Sequence, residues 1–310
     1  MILARTLRGF PFDIVADGSV ATIGSYDGLH LGHQQLLRRV LAESKKRGMA
    51  SIVMSFEPTP KEYFLPDNPP ARLMRFREKF EALHEFGVDV FFCPWFDHRM
   101  KSIAADAFIR QILVQTLNVQ RLVVGDDFRF AAGRQGTLRH LQRAGKALDF
   151  EVEQVPSVVT GGERVSSTAI RAALAGGDLE HAGRLLGRPY RMSGRVVKGA
   201  RLGRTLGFPT ANVNLMRRQS AVMGIFAVRV SGLGEAVRDA VASVGTRPTF
   251  DGTRPLLEVH LFDFDEDIYG RYIHVDFIAR LRSEEKFSDI DELIEQMHRD
   301  SSQAREILAA

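Results

Sequence analysis

The hydrophobic pattern of this chain changes once, near residue 187, and that change restricts it to two differently built halves. Before it, short apolar segments alternate with helical patterns. Strand candidates are Val20–Gly24, Ser51–Phe56, Val88–Phe92, Arg121–Gly125 and Phe150–Val155. Helix candidates are His33–Arg47, Arg75–Glu85, Ala104–Leu117 and Gly136–Gly145, followed by Thr168–Ala175 and Leu179–Leu186. Such alternation predicts a parallel sheet with helices on both faces, and ligands bind beyond the carboxyl ends of its strands. After residue 187 the period becomes two, in Met192–Lys198, Ile225–Ser231, Ala240–Val244, Leu257–Phe264 and Tyr272–Ala279. Gly and Pro turns separate these segments, which predicts a small antiparallel sheet or barrel. Ile290, Leu293, Ile294 and Met297 then repeat at helical spacing, predicting a closing helix whose stripe packs on the β domain. The expected fold is therefore α/β: a Rossmann-like domain over residues 1–186, then a β-barrel domain with a C-terminal helix over residues 187–310.

Charge and cysteine usage narrow the chemistry. A net charge of +4 suits anionic small substrates but is too small and too evenly spread to argue for nucleic acid. The one cysteine, Cys93, ends a strand-like apolar run, so it reads as a core residue in a cytoplasmic protein. No apolar run is long enough to cross a bilayer, and no secretory signal is recognisable.

Gly24-Ser25-Tyr26-Asp27-Gly28-Leu29-His30-Leu31-Gly32-His33 joins the first strand candidate to a helix. A strand, a glycine turn and a helix N-terminus make an anion site, because exposed N–H groups and the helix dipole both favour negative charge. His30 and His33, three residues apart, can face that anion together, and Gly28 and Gly32 let a nucleotide approach the backbone. The same pair could instead ligate a metal or lie on the surface. Ser55 to Phe64 leaves a strand and turns at Pro58 and Pro60, offering Phe56 and Phe64 to a flat ring; core filling is as good a reading for Phe56. After Gly125, the Asp126–Asp127 pair could bind a divalent ion or cap a turn, with Phe128 beside it. Ser166, Ser167 and Thr168 open a capped helix, with Arg171 on the same face; alone this reads as an ordinary capped helix, and beside His30 and His33 its hydroxyls and N–H groups suit a triphosphate.

The second half carries Gly199, Gly203, Arg204 and Gly207 ahead of a rigid Pro209-Thr210-Ala211-Asn212. Glycines with arginine suit phosphate, although the spacing is neither the P-loop nor the dinucleotide fingerprint. Thr210 and Asn212 point the same way in an extended segment and are neutral oxygen donors, suited to Mg²⁺ already held by ATP; the spacing fits structural polar residues of a glycine-rich β turn equally well. Glu258 sits between apolar neighbours in a strand pattern, either as a solvated edge charge or as a general base.

Asp27-Gly28-x-His30-x-Gly32-His33 resembles the signature of nucleotidyltransferases that join an ATP-derived AMP to a phosphate. Taken with Phe56–Pro60, Gly125–Phe130, Ser166–Arg171, Gly199–Asn212, Ser243–Thr249 and Glu258–Phe264, nearly the whole chain resembles the prokaryotic bifunctional riboflavin kinase/FMN adenylyltransferase family. Gly207-Phe208-Pro209-Thr210-Ala211-Asn212 is the most specific of these motifs. The resemblance implies riboflavin phosphorylation in the second domain, with Thr210 and Asn212 on Mg²⁺ and Glu258 taking the ribityl proton. It implies FMN adenylylation in the first. There His30 and His33 serve the α-phosphate, and Gly24, Asp27, Gly28, Gly32 and Ser166 to Arg171 hold the nucleotide. Phe56, Pro58, Pro60, Phe64, Asp127 and Phe128 border the flavin. The partners implied are riboflavin, FMN and ATP, with no nucleic acid and no membrane, in a monomer or weak homo-oligomer. Four departures from the family pattern stand out: Tyr26 for phenylalanine, Thr59 for histidine, Ala131 for glycine, and Asp127 where asparagine also occurs. Tyr26 is expected to be harmless, Thr59 to alter flavin affinity or rate, and Ala131 to stiffen its loop.

Overall fold

The computed structural model describes residues 1–199, 203, 206–249 and 252–310. It divides into two compact units, Met1–Pro70 with Met74–Val165 and Ala71–Leu73 with Ser166–Ala310. The first unit holds a six-stranded sheet of β1 (Ile2–Ala4), β2 (Ser19–Ile23), β3 (Ala50–Met54), β4 (Val90–Phe92), β5 (Val119–Gly125) and β6 (Glu151–Val155). Every pairing is parallel, in the order β1-β4-β3-β2-β5-β6. Alternation along the strands feeds two cores. Ile52, Met54, Val90 and Phe92 join one, with Ile112 and Leu141; Val53 and Phe91 join the other, with Leu37 and Leu83. Successive side chains of a strand point to opposite faces, so both faces of the sheet are covered, as the near-continuous apolar runs require.

The strand order also locates the ligand crevice. From β2 the chain builds outward through β3 and β4, then crosses back to lay β5 on the other side of β2. The β2/β5 boundary is the topological switch point, where open α/β sheets bind ligands. Helices α1 (Leu31–Arg47), α2 (Pro60–Phe64), α3 (Phe76–Glu85), α4 (His98–Ser102), α5 (Ala105–Phe108) and α6 (Leu138–Leu148) complete this unit with a small hairpin, β7 (Val159–Thr160) and β8 (Glu163–Arg164). The helix expected over Ala104–Leu117 is α-helical only in α5 and continues as a π-helical segment, Ile109–Val114. The wider turn still buries Ile109, Ile112 and Leu113, so the apolar pattern alone does not distinguish the two.

The second unit opens with α7 (Ser167–Gly176) and α8 (Leu179–Leu186). A closed antiparallel barrel follows, built from β9 (Tyr190–Val197), β10 (Ala211–Asn214), β11 (Gly224–Ser231), β12 (Arg238–Thr249), β13 (Gly252–Leu261) and β14 (Tyr272–Arg282), in the order β10-β13-β12-β11-β14-β9. Met192, Phe226, Val228, Leu257, Val259 and Phe277 lie among its buried residues. The closing helix α9 (Ile290–Ala309) packs differently from the sequence expectation. Ile290 is exposed, and burial comes later, at Ala304 and Leu308, which cluster with Ala227 and Phe262. Leu293 and Met297 instead line a cavity. An apolar stripe thus faces an open space rather than packed side chains.

Candidate active sites

In the first unit β2 ends at Ile23 and the chain turns at once, with the Gly24 amide donating to the Met54 carbonyl at 3.1 Å. The turn needs positive φ at Tyr26 (49°), Gly28 (86°) and Leu29 (46°). Two of these are not glycine, and each costs backbone strain that its surroundings must hold. Tyr26 is fully buried, and its hydroxyl bonds Thr22 Oγ1 at 2.6 Å. Burial raises the Tyr26 phenol well above its ordinary pKa. Asp27, also buried, accepts from the Met74 amide at 2.8 Å.

His30 is the N-cap of α1 rather than a residue within it. Its Nδ1 accepts from the His33 amide at 3.3 Å, which folds the imidazole back over the first turn. The two rings stack, with centroids 3.7 Å apart and planes 17° off parallel. Gly32 eases this stacking, because a Cβ there would sit 3.3 Å from the His30 ring atoms and press on them. The Tyr26 ring closes the other side of His33 at 4.9 Å. Burial lowers the His33 pKa well below its usual value, with the positive charges of His30 and Lys79 adding to the effect. His33 is therefore neutral at physiological pH, and its buried Nδ1 has no protein partner. A neutral imidazole with an unmatched polar atom at a switch point suits hydrogen bonding to an incoming group.

Phe56 is half-buried against the core and meets Phe96 edge-on at 5.4 Å; Phe64 is 58% exposed and meets Phe96 at 5.9 Å. Phe96 and Tyr63 belong to the same aromatic wall and were not anticipated. Pro58 follows a cis peptide bond, and Pro60 opens α2. Thr59 caps that helix, exchanging bonds with Glu62 in a capping box. Beyond β5, Asp126 is held by the Ser157 amide and hydroxyl and by Arg164, and the Ser157 hydroxyl keeps its carboxyl below the usual range. Asp127 is exposed and pairs with Arg164 at 3.0 Å. Phe128 stacks on Phe130. Arg164, a lone cation in the sequence, gave no motif signal, yet it touches both aspartates. Ala131 keeps a glycine-like backbone, φ 64° and ψ −174°.

In the second unit Ser166 caps α7 through the Ala169 amide at 3.1 Å, placing Ser167 and Thr168 in the first turn. Arg171 does not extend freely: it donates to the Ala71 carbonyl at 2.6 Å and the Ser167 carbonyl at 3.1 Å. In the barrel, Asn212 of β10 pairs directly with Glu258 of β13, and Ser243 of β12 pairs with Glu258 on its other side. Gly199 leaves room for the buried Asn212 side chain, which a Cβ there would strike. At Gly203 a Cβ would strike the Phe208 carbonyl and lie 3.1 Å from Thr210 Oγ1. Gly207 has φ 83°. Arg204 lies outside the described residues. A cavity of about 450 Å³ is lined by Thr210, Glu258, Ser243, His260, Phe287 and Met297, among others. Arg282 and Asp300, also on its wall, form a paired bridge at 2.7–3.1 Å that the sequence did not reveal. Among the described residues no group of three His, Cys, Asp or Glu could hold a metal, and no helix is long and apolar enough to cross a membrane.

Comparison with known proteins assigns a family to each half of the chain. The family model for FAD synthetase matches residues 14–169, and the model for riboflavin kinase matches residues 186–308. An Escherichia coli K12 protein named bifunctional riboflavin kinase/FMN adenylyltransferase is 50% identical over 94% of this chain and 93% of its own length. Proteins of the same name from Haemophilus influenzae and Pseudomonas fluorescens are 45% and 44% identical, each over 94% of both chains. A crystal structure from Streptococcus pneumoniae described as a macrolide-efflux protein is 32% identical, covers 98% of each chain and has a TM-score of 0.82.

Proposed function

The chain belongs to the bifunctional riboflavin kinase/FMN adenylyltransferase family, and from that membership we propose how its own residues share the work. The amino-terminal half is the FAD synthetase part and the carboxyl-terminal half the flavokinase part. We propose the functional boundary at residues 186/187, one residue inside the segment that the riboflavin kinase model matches from 186.

In the kinase, Glu258 accepts the proton of the ribityl 5′-hydroxyl as that oxygen attacks the γ-phosphorus of ATP, giving FMN and ADP. The direct pairing of Asn212 with Glu258 carries this reading, because it brings an oxygen donor and a base to one point on the barrel wall. Thr210 and Asn212 would hold Mg²⁺ through neutral oxygens, a donor set that suits an ion delivered with the nucleotide; the ion would neutralise phosphate charge. Gly199, Gly203, Arg204 and Gly207 would follow the phosphates, and the cavity beside Thr210 and Glu258 is roomy enough for a flavin ring.

In the adenylyltransferase, a phosphate oxygen of FMN attacks the α-phosphorus of a second ATP, and the bond to the bridging oxygen breaks to release pyrophosphate. His30 and His33 hydrogen-bond the α-phosphate oxygens as negative charge builds. The nucleotide would lie along Gly24, Asp27, Gly28 and Gly32. Ser166, Ser167, Thr168 and Arg171 would hold its outer phosphates, which requires Arg171 to trade a carbonyl partner for one. Phe56, Pro58, Pro60, Phe64, Asp127 and Phe128 would border the flavin. The protein would work in the cytoplasm as a monomer or weak homo-oligomer.

Incubation with riboflavin, ATP and Mg²⁺, followed by separation of riboflavin, FMN and FAD, tests the scheme. His30→Ala should abolish FAD while FMN still forms. Asn212→Ala should stop riboflavin phosphorylation while added FMN is still adenylylated. Loss of both activities in either variant would overturn the assignment of two separate sites.

A further inference from the structure

Lys79 is buried, at 3% exposure, and it stands in none of the motifs that carry the chemistry. It lies in the first turn of α3, whose start is fixed by Glu78 accepting from the Arg75 amide at 2.6 Å. From there its ammonium reaches the carbonyl of Ser25 at 2.5 Å and the hydroxyl of Ser55 at 3.5 Å. Ser55 closes the triangle by donating to the same Ser25 carbonyl at 3.3 Å. Ser25 is the residue between Gly24 and Tyr26, at the head of the turn that presents the histidine pair. Burying an ammonium is costly.

We propose that Lys79 is a positioning residue for adenylyl transfer: its ammonium anchors the Ser25 carbonyl, fixing the His30–His33 turn, and keeps a positive charge beside the pair. This inference rests on the assignment of His30 and His33 to the α-phosphate. The charged and titratable groups that bear on His33 are His30, stacked at 3.7 Å, the Tyr26 phenol, whose ring lies at 4.9 Å, and Lys79 from α3. Burial is the largest influence on His33, and His30 and Lys79 repel its proton further. Lys79 thus helps keep His33 a neutral hydrogen-bond donor.

The test is Lys79→Met against Lys79→Arg, with FMN adenylylation, riboflavin phosphorylation and the NMR titration of His33 read on the full chain. Lys79→Met should lower kcat for FAD formation by about 10–100-fold, with KM for ATP little changed, because misplacement is felt chiefly in the transition state. The His33 titration and the acid limb of the FAD profile should both move up in pH. Riboflavin phosphorylation should be unaffected. Lys79→Arg should keep the His33 titration low while kcat falls, and it carries the test alone if Lys79→Met fails to fold. A Lys79→Met enzyme with unchanged kcat and pH profile overturns the inference, as does an Arg variant with unchanged kcat. His33→Ala serves as the control. If it leaves FAD formation intact, the histidine assignment itself is wrong; if it abolishes FAD while Lys79→Met is silent, only the role of Lys79 falls.

Discussion

Ala131→Gly should make the amino-terminal unit more stable. Ala131, at φ 64° and ψ −174°, occupies a region that is essentially reserved for glycine. Its neighbours hold it there: Phe130 and Gly136 exchange backbone bonds at 2.9 and 3.2 Å, Ala132 donates to Ile103 at 2.9 Å, and Arg134 donates to the Ala131 carbonyl at 3.1 Å. A strained residue of this kind costs about 1–3 kcal/mol. Glycine would relieve that strain but lose about 0.5–1 kcal/mol in chain entropy, and a half-buried methyl is worth roughly 0.4 kcal/mol. The balance is a gain of about 1 kcal/mol, or roughly 2–4 °C in the Tm of a unit this size. Differential scanning calorimetry on the full chain measures it, with Ala131→Val as the opposing control. The valine variant should unfold earlier, since a β-branched side chain tolerates this backbone least. A glycine variant that melts lower than the parent refutes the strain argument.

His33 is half-buried with its Nδ1 shielded from water and its pKa lowered, so the folded unit resists a proton that the unfolded chain accepts near pH 6.5. Its contribution is fully present above that pH and is lost as the pH falls toward the lowered folded pKa. Thermal unfolding should therefore show a fall in Tm below about pH 6.5 that a His33→Phe variant lacks. Tyr26→Phe and Thr22→Val each strand a buried hydroxyl, at about 1 kcal/mol apiece, whereas the double variant should cost less than their sum in denaturant unfolding. Asp300→Ala removes the close carboxylate partner of Arg282 on the cavity wall and leaves it with Glu285 at 3.9 Å. Urea titration should show a loss of about 2 kcal/mol, and the KM for riboflavin should rise.

Long periodic segments were readable from the chain because burial imposes their period. β2, β3, β5 and β6 were expected near where they lie, as were α1, α3, α6, α7 and α8. β1, with three residues, and β10, with four, are too short to establish a period, yet the sheet edge and the barrel closure depend on them. The histidine pair was legible because both members share one local turn. The Asn212–Glu258 pairing was not, since register between distant strands is set by the whole barrel. Lys79, Arg164 and the Arg282–Asp300 bridge were missed for a related reason: single charges gain meaning only from partners far along the chain. Thr59 shows how a departure from the family pattern can be absorbed, since the hydroxyl that replaces a histidine becomes a helix cap.

Arg171 grips the Ala71 carbonyl, and the buried Arg217 donates to the carbonyls of Arg72 and Leu73. Those three residues come from well upstream, flanked on both sides by chain that folds with the sheet. Consequently no single scission of the backbone yields the two halves intact. A fragment started at Ser166 would leave behind a strap its own arginines are shaped to hold, and should be harder to purify folded than the uncut polypeptide.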